Sequence, residues 1–197
     1  DRGGLLHYQG PLAVVINRLS ASASEIFAGA IQDYGRGLVV GQESFGKGTV
    51  QTLVDLSYGQ LKITKAKFYR VSGDSTQHKG IQPDISYPAL FNPKEIGESA
   101  TENALGWDQV KQVLTNNNLK IKNSLPKLLA NHKKRLAKDP NLQYLQDQSN
   151  WLSRHEEPAS LSLNQQERQQ ERQQEEAEQL AMENKRRKAL GLELLTK

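Results

Sequence analysis

Pro11-Leu12-Ala13-Val14-Val15-Ile16-Asn17 is followed by Ser20-Ala21-Ser22-Ala23-Ser24-Glu25-Ile26-Phe27 and then by Gly37-Leu38-Val39-Val40-Gly41. The first and third stretches are short, almost wholly apolar runs, as expected of strands buried on both faces. Between them, residues 22–34 predict a helix. Ile26, Phe27, Ala30, Ile31 and Tyr34 share one face as its packing stripe, and Gly35 and Gly37 supply its stop. Strand, helix and strand in immediate succession predict a βαβ unit with a parallel pair, and so an α/β fold.

Gln42 to Gly48 reads as a Gly-rich loop. Thr49 to Leu56 and Gln60 to Arg70 predict two strands joined by a turn at Ser57-Tyr58-Gly59, with further turns at Ser72-Gly73-Asp74 and Pro83-Asp84. From Phe91 onward helices replace strands: Leu105 to Leu114, Ser124 to Lys138 and Asn141 to His155. Leu125, Leu128, Leu129, His132 and Leu136 form the stripe of the second of these. Gln165 to Leu190 predicts a long polar helix carrying the near-repeat Gln-Gln-Glu-Arg at 165–168 and 169–172, with Gly191 as its stop. Arg168 with Glu171 and Arg172 with Glu176 are spaced to pair, at about 0.2–0.5 kcal/mol each. With little apolar stripe before Leu180, a solvated helix is favoured over a coiled coil.

The composition divides at the same place. Residues 1–117 hold 11 Lys+Arg and 11 Asp+Glu, so the whole net charge of +4 sits in residues 118–197. So small an excess, interleaved with acids, argues for a solvated helical surface and against nucleic-acid binding. The chain contains no cysteine, which excludes disulfides, thiolate metal sites and a cysteine nucleophile. No apolar run approaches the roughly 20 residues that span a bilayer. The opening Asp1-Arg2-Gly3-Gly4 reads like a cut within a longer protein rather than a natural beginning.

Ser20, Ser22 and Ser24 lie at the strand-to-helix junction. The first N–H groups of a helix lack internal partners and carry partial positive charge, so a nucleophile there sits beside donors for an oxyanion. Ser22-Ala23-Ser24-Glu25 is equally a capping box, and the two roles compete for one hydroxyl. A serine nucleophile needs a base. His7, His78, His132 and His155 are scattered and suggest no Ser-His-Asp arrangement. A lysine serves when apolar surroundings leave it neutral, and Lys47, between Gly46 and Gly48, is the candidate, although an isolated Gly-Lys-Gly is ordinarily a turn. Gly41 to Lys47 also matches the start of a phosphate-binding P-loop. Position 48 is Gly rather than Ser or Thr, however, and a strand rather than a helix is predicted to follow, which disfavours a nucleotide hydrolase.

Ser20 to Ala30 resembles the nucleophile motif of the C-terminal processing peptidases, or tail-specific proteases. Gly41 to Gln51, with Phe45-Gly46-Lys47-Gly48-Thr49-Val50-Gln51, resembles their lysine motif. Lys65 to Arg70 and Gly80 to Ile85 resemble the strand and turn that follow. Asn103 to Asp108 and Arg135 to Pro140 are similar to the helical tail of the Gram-negative periplasmic branch. The resemblance implies residues 1–90 as part of a crotonase-like or ClpP-like serine-protease core and residues 91–197 as a helical C-terminal domain. It implies Ser22 as nucleophile, Lys47 as general base, Gln51 as the residue holding the lysine, and the Ala23 N–H as one oxyanion donor. Asp33, where the family often has an acid, is read as structural support rather than catalytic. No metal or other cofactor is implied. The expected partners are protein substrates with apolar C-terminal tails, and a homo-oligomer is left open. The family's peptide-binding PDZ domain and the Gly-Gly loop giving a second oxyanion donor both lie upstream in its fuller members. Gly3-Gly4 is too close to the Pro11 strand to be assigned to that loop, so the expectation is a fragment with an incomplete site. The competing expectation is a helical interaction or structural module without catalysis.

Overall fold

The computed structural model describes residues 8–92, 94–114, 119–155 and 160–196; Gly3 and Gly4 lie outside them. The chain divides into two compact units, one formed by residues up to 87 with 91–127, the other by 88–90 with 128 onward.

In the first unit, β1 (Ala13–Ile16), α1 (Ala23–Asp33) and β2 (Leu38–Gly41) form the expected βαβ unit. β1 and β2 pair in parallel, Ala13 opposite Leu38 through Ile16 opposite Gly41. β3 (Thr49–Asp55) and β4 (Gln60–Lys67) make a separate antiparallel hairpin, and β5 (Ile85–Ser86) returns beside β2 to complete the order β1-β2-β5. In the hairpin, Val50 lies opposite Ala66 and Gln51 opposite Thr64, so Lys65 is the unmatched residue of a β-bulge. Ile16, Ala28, Val39 and Ile81 form the small core between helix and sheet.

Two expectations are corrected here. The predicted packing stripe of α1 is only partly sheltered: Ile26, Phe27 and Tyr34 are about half exposed and Ala30 and Ile31 are half-buried, while Glu25, Ala28 and Gly29 are fully buried. The small face packs inward because it permits close approach, and Ala28 joins the core with Ile16, Val39 and Ile81. A side-chain carbon added at Gly29 would stand 3.1 Å from Ile81 Cδ1. The predicted helix over Leu105–Leu114 is absent. The segment instead runs alongside residues 71–75, with Ser75 N–H bonded to the Asp108 carbonyl (3.0 Å), Val110 N–H to Gly73 (2.8 Å) and Val113 N–H to Val71 (3.1 Å). Asp108 accepts from Lys67 Nζ (2.9 Å) and Tyr69 Oη (3.0 Å), which favours that extended path over a helical turn.

The later helices are α2 (Leu119–Leu136), α3 (Pro140–Arg154) and α4 (Gln165–Ala189). α2 starts earlier than expected and carries Pro126 in its interior. Leu125, Leu128, His132 and Leu136 keep to its sheltered stripe, whereas Leu129 is exposed. Asp139 caps α3, accepting from Asn141 N–H (2.8 Å) and Leu142 N–H (3.2 Å), and Pro140 occupies the first helical position, where its missing N–H costs nothing. α4 buries no residue. Its C-terminal half pairs with α3 through Trp151 Nε1 to Glu178 (2.8 Å) and Lys185 to Asp147 (2.6 Å). Arg168 pairs with Glu171, whereas Arg172 and Glu176 form no ion pair. Gly191, at φ +69°, ends the helix as expected, with Leu192 N–H returning to the Arg187 carbonyl at 2.9 Å.

Candidate active site

After β1 the chain turns tightly: Ser20 N–H bonds the Asn17 carbonyl (2.9 Å), and Asn17 N–H bonds Ser20 Oγ (3.1 Å). Ser22 follows as the N-cap of α1 with φ 56° and ψ −112°, a conformation that L-residues rarely adopt and that costs roughly 1–3 kcal/mol. Such strain at the first turn of a helix calls for an explanation beyond capping. Ser22 and Glu25 have the capping-box arrangement, and the Glu25 N–H bonds the Ser22 carbonyl at 2.9 Å. Ala23 begins the helix, so its N–H has no intrahelical acceptor.

Glu25 is the centre of the arrangement. It is fully buried, and its carboxylate meets four donors. Oε1 accepts from Ser44 Oγ (2.5 Å) and Gly46 N–H (2.7 Å), and Oε2 accepts from Ser22 N–H (2.8 Å) and Lys47 N–H (2.9 Å). One oxygen atom thus ties the backbone of Ser22 to that of Lys47. Burial pushes the Glu25 carboxyl above its ordinary range, opposed by the hydrogen bonds from Ser44 and from the Gly46, Ser22 and Lys47 amides. Ser44 Oγ in turn accepts from Ile81 N–H at 2.6 Å, anchoring the loop to the core.

The Lys47 loop is held along its length. Phe45 N–H bonds the Ser20 carbonyl (2.9 Å) and His78 N–H bonds the Gly46 carbonyl (2.7 Å). Gly48 lies so close to the next segment that an added side-chain carbon would stand 2.5 Å from the Gln77 nitrogen. Lys47 Nζ donates to Gln51 Oε1 at 3.1 Å, and Gln51 Nε2 reaches Thr64 Oγ1 at 3.5 Å. The structure therefore brings Lys47 and Gln51 into side-chain contact, and Ser22 and Lys47 together through Glu25. The Ser22 hydroxyl and the Lys47 amine make no direct hydrogen bond. Asp33 sits at the far end of α1, held by Arg70 Nη2 (2.5 Å) and Nε (3.2 Å), where it fastens the helix to the strand region. The loop runs into strand β3 rather than a helix, which removes the geometry a P-loop requires.

Glu25 as the link between the two motifs was missed by sequence reasoning, which saw only a capping partner. The available signal was its place on the small-residue face, one helical turn before Ala28 and Gly29.

Residues 2–87 match the model of Peptidase family S41, and residues 91–197 match the C-terminal domain of tail specific protease. The chain belongs to the tail-specific protease family. It is 41% identical over 99% of its length to the tail-specific protease of Haemophilus influenzae, spanning 30% of that relative. It is also 52% identical, over 50% of its length and 23% of the relative's, to a carboxy-terminal-processing protease of Bartonella bacilliformis. Among solved structures, a photosystem II D1 C-terminal processing protease matches at 42% identity, over 43% of this chain and 21% of that one, with a TM-score of 0.37. The relatives are carboxy-terminal-processing serine proteases, some of them bacterial. Strands β1 to β5 and α1 lie within the stretch that matches the peptidase family, and α2, α3 and α4 within the stretch that matches the C-terminal domain. Among the described residues, no helix is long and apolar enough to cross a membrane.

Proposed function

We propose that this chain carries the nucleophile and general base of a serine endopeptidase that cleaves proteins with apolar C-terminal tails. Lys47, unprotonated, takes the proton of Ser22 Oγ as that oxygen attacks the peptide carbonyl carbon. The tetrahedral oxyanion is met by the Ala23 N–H at the start of α1. Collapse expels the amine, which takes up the proton from Lys47, and leaves an acyl-enzyme on Ser22. Water, deprotonated by Lys47, then attacks the ester; collapse expels Ser22 Oγ, which takes that proton back from Lys47, and releases the new carboxyl terminus. Gln51 holds the amine at 3.1 Å, and Asp33 supports α1 from its far end through Arg70 without touching the reacting atoms. Residues 1–90 are assigned to the catalytic core and 91–197 to the helical domain. Tail recognition is assigned to a PDZ domain outside this chain, and the compartment to the periplasm of a Gram-negative bacterium.

The observation that carries this reading is Glu25 Oε2, which accepts from both Ser22 N–H (2.8 Å) and Lys47 N–H (2.9 Å) while Ser22 stands at φ 56°. A cap alone needs neither the strained serine nor a bond to a loop 22 residues away in sequence. In the full-length protein, Ser22→Ala and Lys47→Ala should each lower kcat for a tailed peptide by about a thousandfold or more. Retained cleavage by either variant sinks the reading. The 197-residue chain by itself is expected to hydrolyse the same peptide barely above background.

A further inference from the structure

The lysine loop is also held by residues 96–99, which lie in the stretch matching the C-terminal domain of tail specific protease, beyond the stretch matching the peptidase family. Glu98 N–H donates to the Phe45 carbonyl at 2.9 Å, two residues before Lys47. Gly48 N–H, one residue after Lys47, donates to Gln77 Oε1 at 2.9 Å. The two grips are one device, because Gln77 Nε2 donates to Glu98 Oε1 at 2.9 Å. A side-chain amide can present either its oxygen or its nitrogen to a neighbour. With Glu98 taking the nitrogen, the oxygen is left for Gly48.

Arg18 anchors the same segment from beneath. It is 3% exposed, and its Nε donates to the Ile96 carbonyl (2.6 Å), Nη1 to the Ser44 carbonyl (2.7 Å) and Glu43 Oε1 (2.6 Å), and Nη2 to Ser99 Oγ (2.8 Å). Gly97, at φ +131°, lets the guanidinium lie against the backbone; an added side-chain carbon would stand 2.3 Å from Nη2. A buried polar network of this kind specifies one arrangement when complete and is costly when broken.

We propose that Arg18, Gln77 and Glu98 form a clamp through which the first residues of the tail domain set the position of Lys47, making Gln77 and Glu98 positioning residues for the general base. The inference rests on the Ser22–Lys47 reading above. It assigns the tail domain a part in the chemistry: a displacement of residues 96–99 withdraws the grip on Phe45 and removes the acceptor that orients Gln77 toward Gly48. General-base transfer depends on geometry within about an ångström, and misplacement on that scale costs up to about a hundredfold in rate. Substrate binding does not depend on it, so the loss falls on kcat.

The test uses the full-length protein, a peptide with an apolar C-terminal tail, and the folded fraction measured by urea unfolding on the same samples. Glu98→Ala removes the acceptor for Gln77 but keeps the backbone bond to Phe45. It is expected to lower kcat by about 10- to 100-fold per folded molecule, with KM changed less than about twofold. Glu98→Gln, which retains a side-chain oxygen for Gln77 Nε2, should restore most of the rate. Gln77→Ala should match Glu98→Ala, and where it fails to fold the Glu98 pair decides. A Glu98→Ala enzyme whose kcat is unchanged, or falls only with the folded fraction, overturns the clamp, as does failure of Glu98→Gln to recover activity. If Lys47→Ala keeps its activity, the general-base reading falls and the clamp with it. If Lys47→Ala is inactive while Glu98→Ala has full kcat, the clamp alone is lost.

Discussion

The two compact units are built on opposite terms. Around Ser22 and Lys47, irregular backbone is organised by a few buried polar side chains, each serving several partners: Glu25 meets four donors, and Arg18 meets carbonyls, a carboxylate and a hydroxyl. In α3 and α4, regular helices satisfy their own backbone, and polar side chains meet in exposed pairs such as Lys185 with Asp147. In the first region, losing one side chain strands several donors away from water. In the second, water replaces whatever is lost. Sequence change should therefore cost most in the first region and least in the second.

The sharpest way to break that contrast is at Glu25. Glu25→Gln puts an amide nitrogen against one pair of N–H or O–H donors, orphaning about two of them. It should destabilise the first unit by about 2–6 kcal/mol, read by urea unfolding. The folded Glu25 carboxyl is raised by burial, so its favourable contribution is complete below the unfolded chain's titration and is lost as pH rises through the folded value. The stability gap between wild type and Glu25→Gln should therefore narrow as pH climbs above the ordinary glutamate range. A gap that widens instead would remove the burial argument.

A smaller effect is expected where a charge pair is only partly sheltered. Asp33→Ala leaves the Arg70 guanidinium with Gln32 as its remaining side-chain partner and should cost about 1.5–3 kcal/mol in the same measurement. The smallest belongs to the helices. Lys185→Ala, at a pair whose lysine is 65% exposed, should change stability by less than about 1 kcal/mol, and added salt should erase the difference. If Lys185→Ala proved as costly as Asp33→Ala, the contrast between the units would be wrong.

The βαβ unit, the β3–β4 hairpin and the polar α4 were legible in the sequence because each follows from local pattern: apolar runs, a central turn, an uninterrupted charged repeat. The junctions that bring the chemistry together were less so. Periodicity nominated Ile26 and Phe27 as the packing face, because apolar residues are ordinarily the buried ones. The buried face is set instead by how closely Ala28 and Gly29 let the helix approach the core residues, Ile81 among them. The extended path of residues 105–114 depends on Asp108 meeting Lys67 and Tyr69, about 40 positions away in sequence, and local propensity carries no trace of it. Lys47 and Gln51 were legible as a pair through the family motif, whereas the link from Lys47 to Ser22 through Glu25 required coordinates.

The bulge at Lys65 has a consequence for length variation in this hairpin. Because β4 carries one residue more than β3 at that point, the root of the hairpin, tied to the lysine loop by Phe68 N–H to the Gly48 carbonyl, is offset from the arm beyond it. Side chains alternate faces along a strand, so an unpaired deletion between Lys47 and Gln51 would turn the Gln51 amide to the opposite face. Insertions made in matched pairs beyond Thr52 and Ile63 leave that parity intact. Paired changes in the arm therefore leave the Lys47–Gln51 contact in place, whereas a single-residue change within the four-residue interval from lysine to glutamine breaks it.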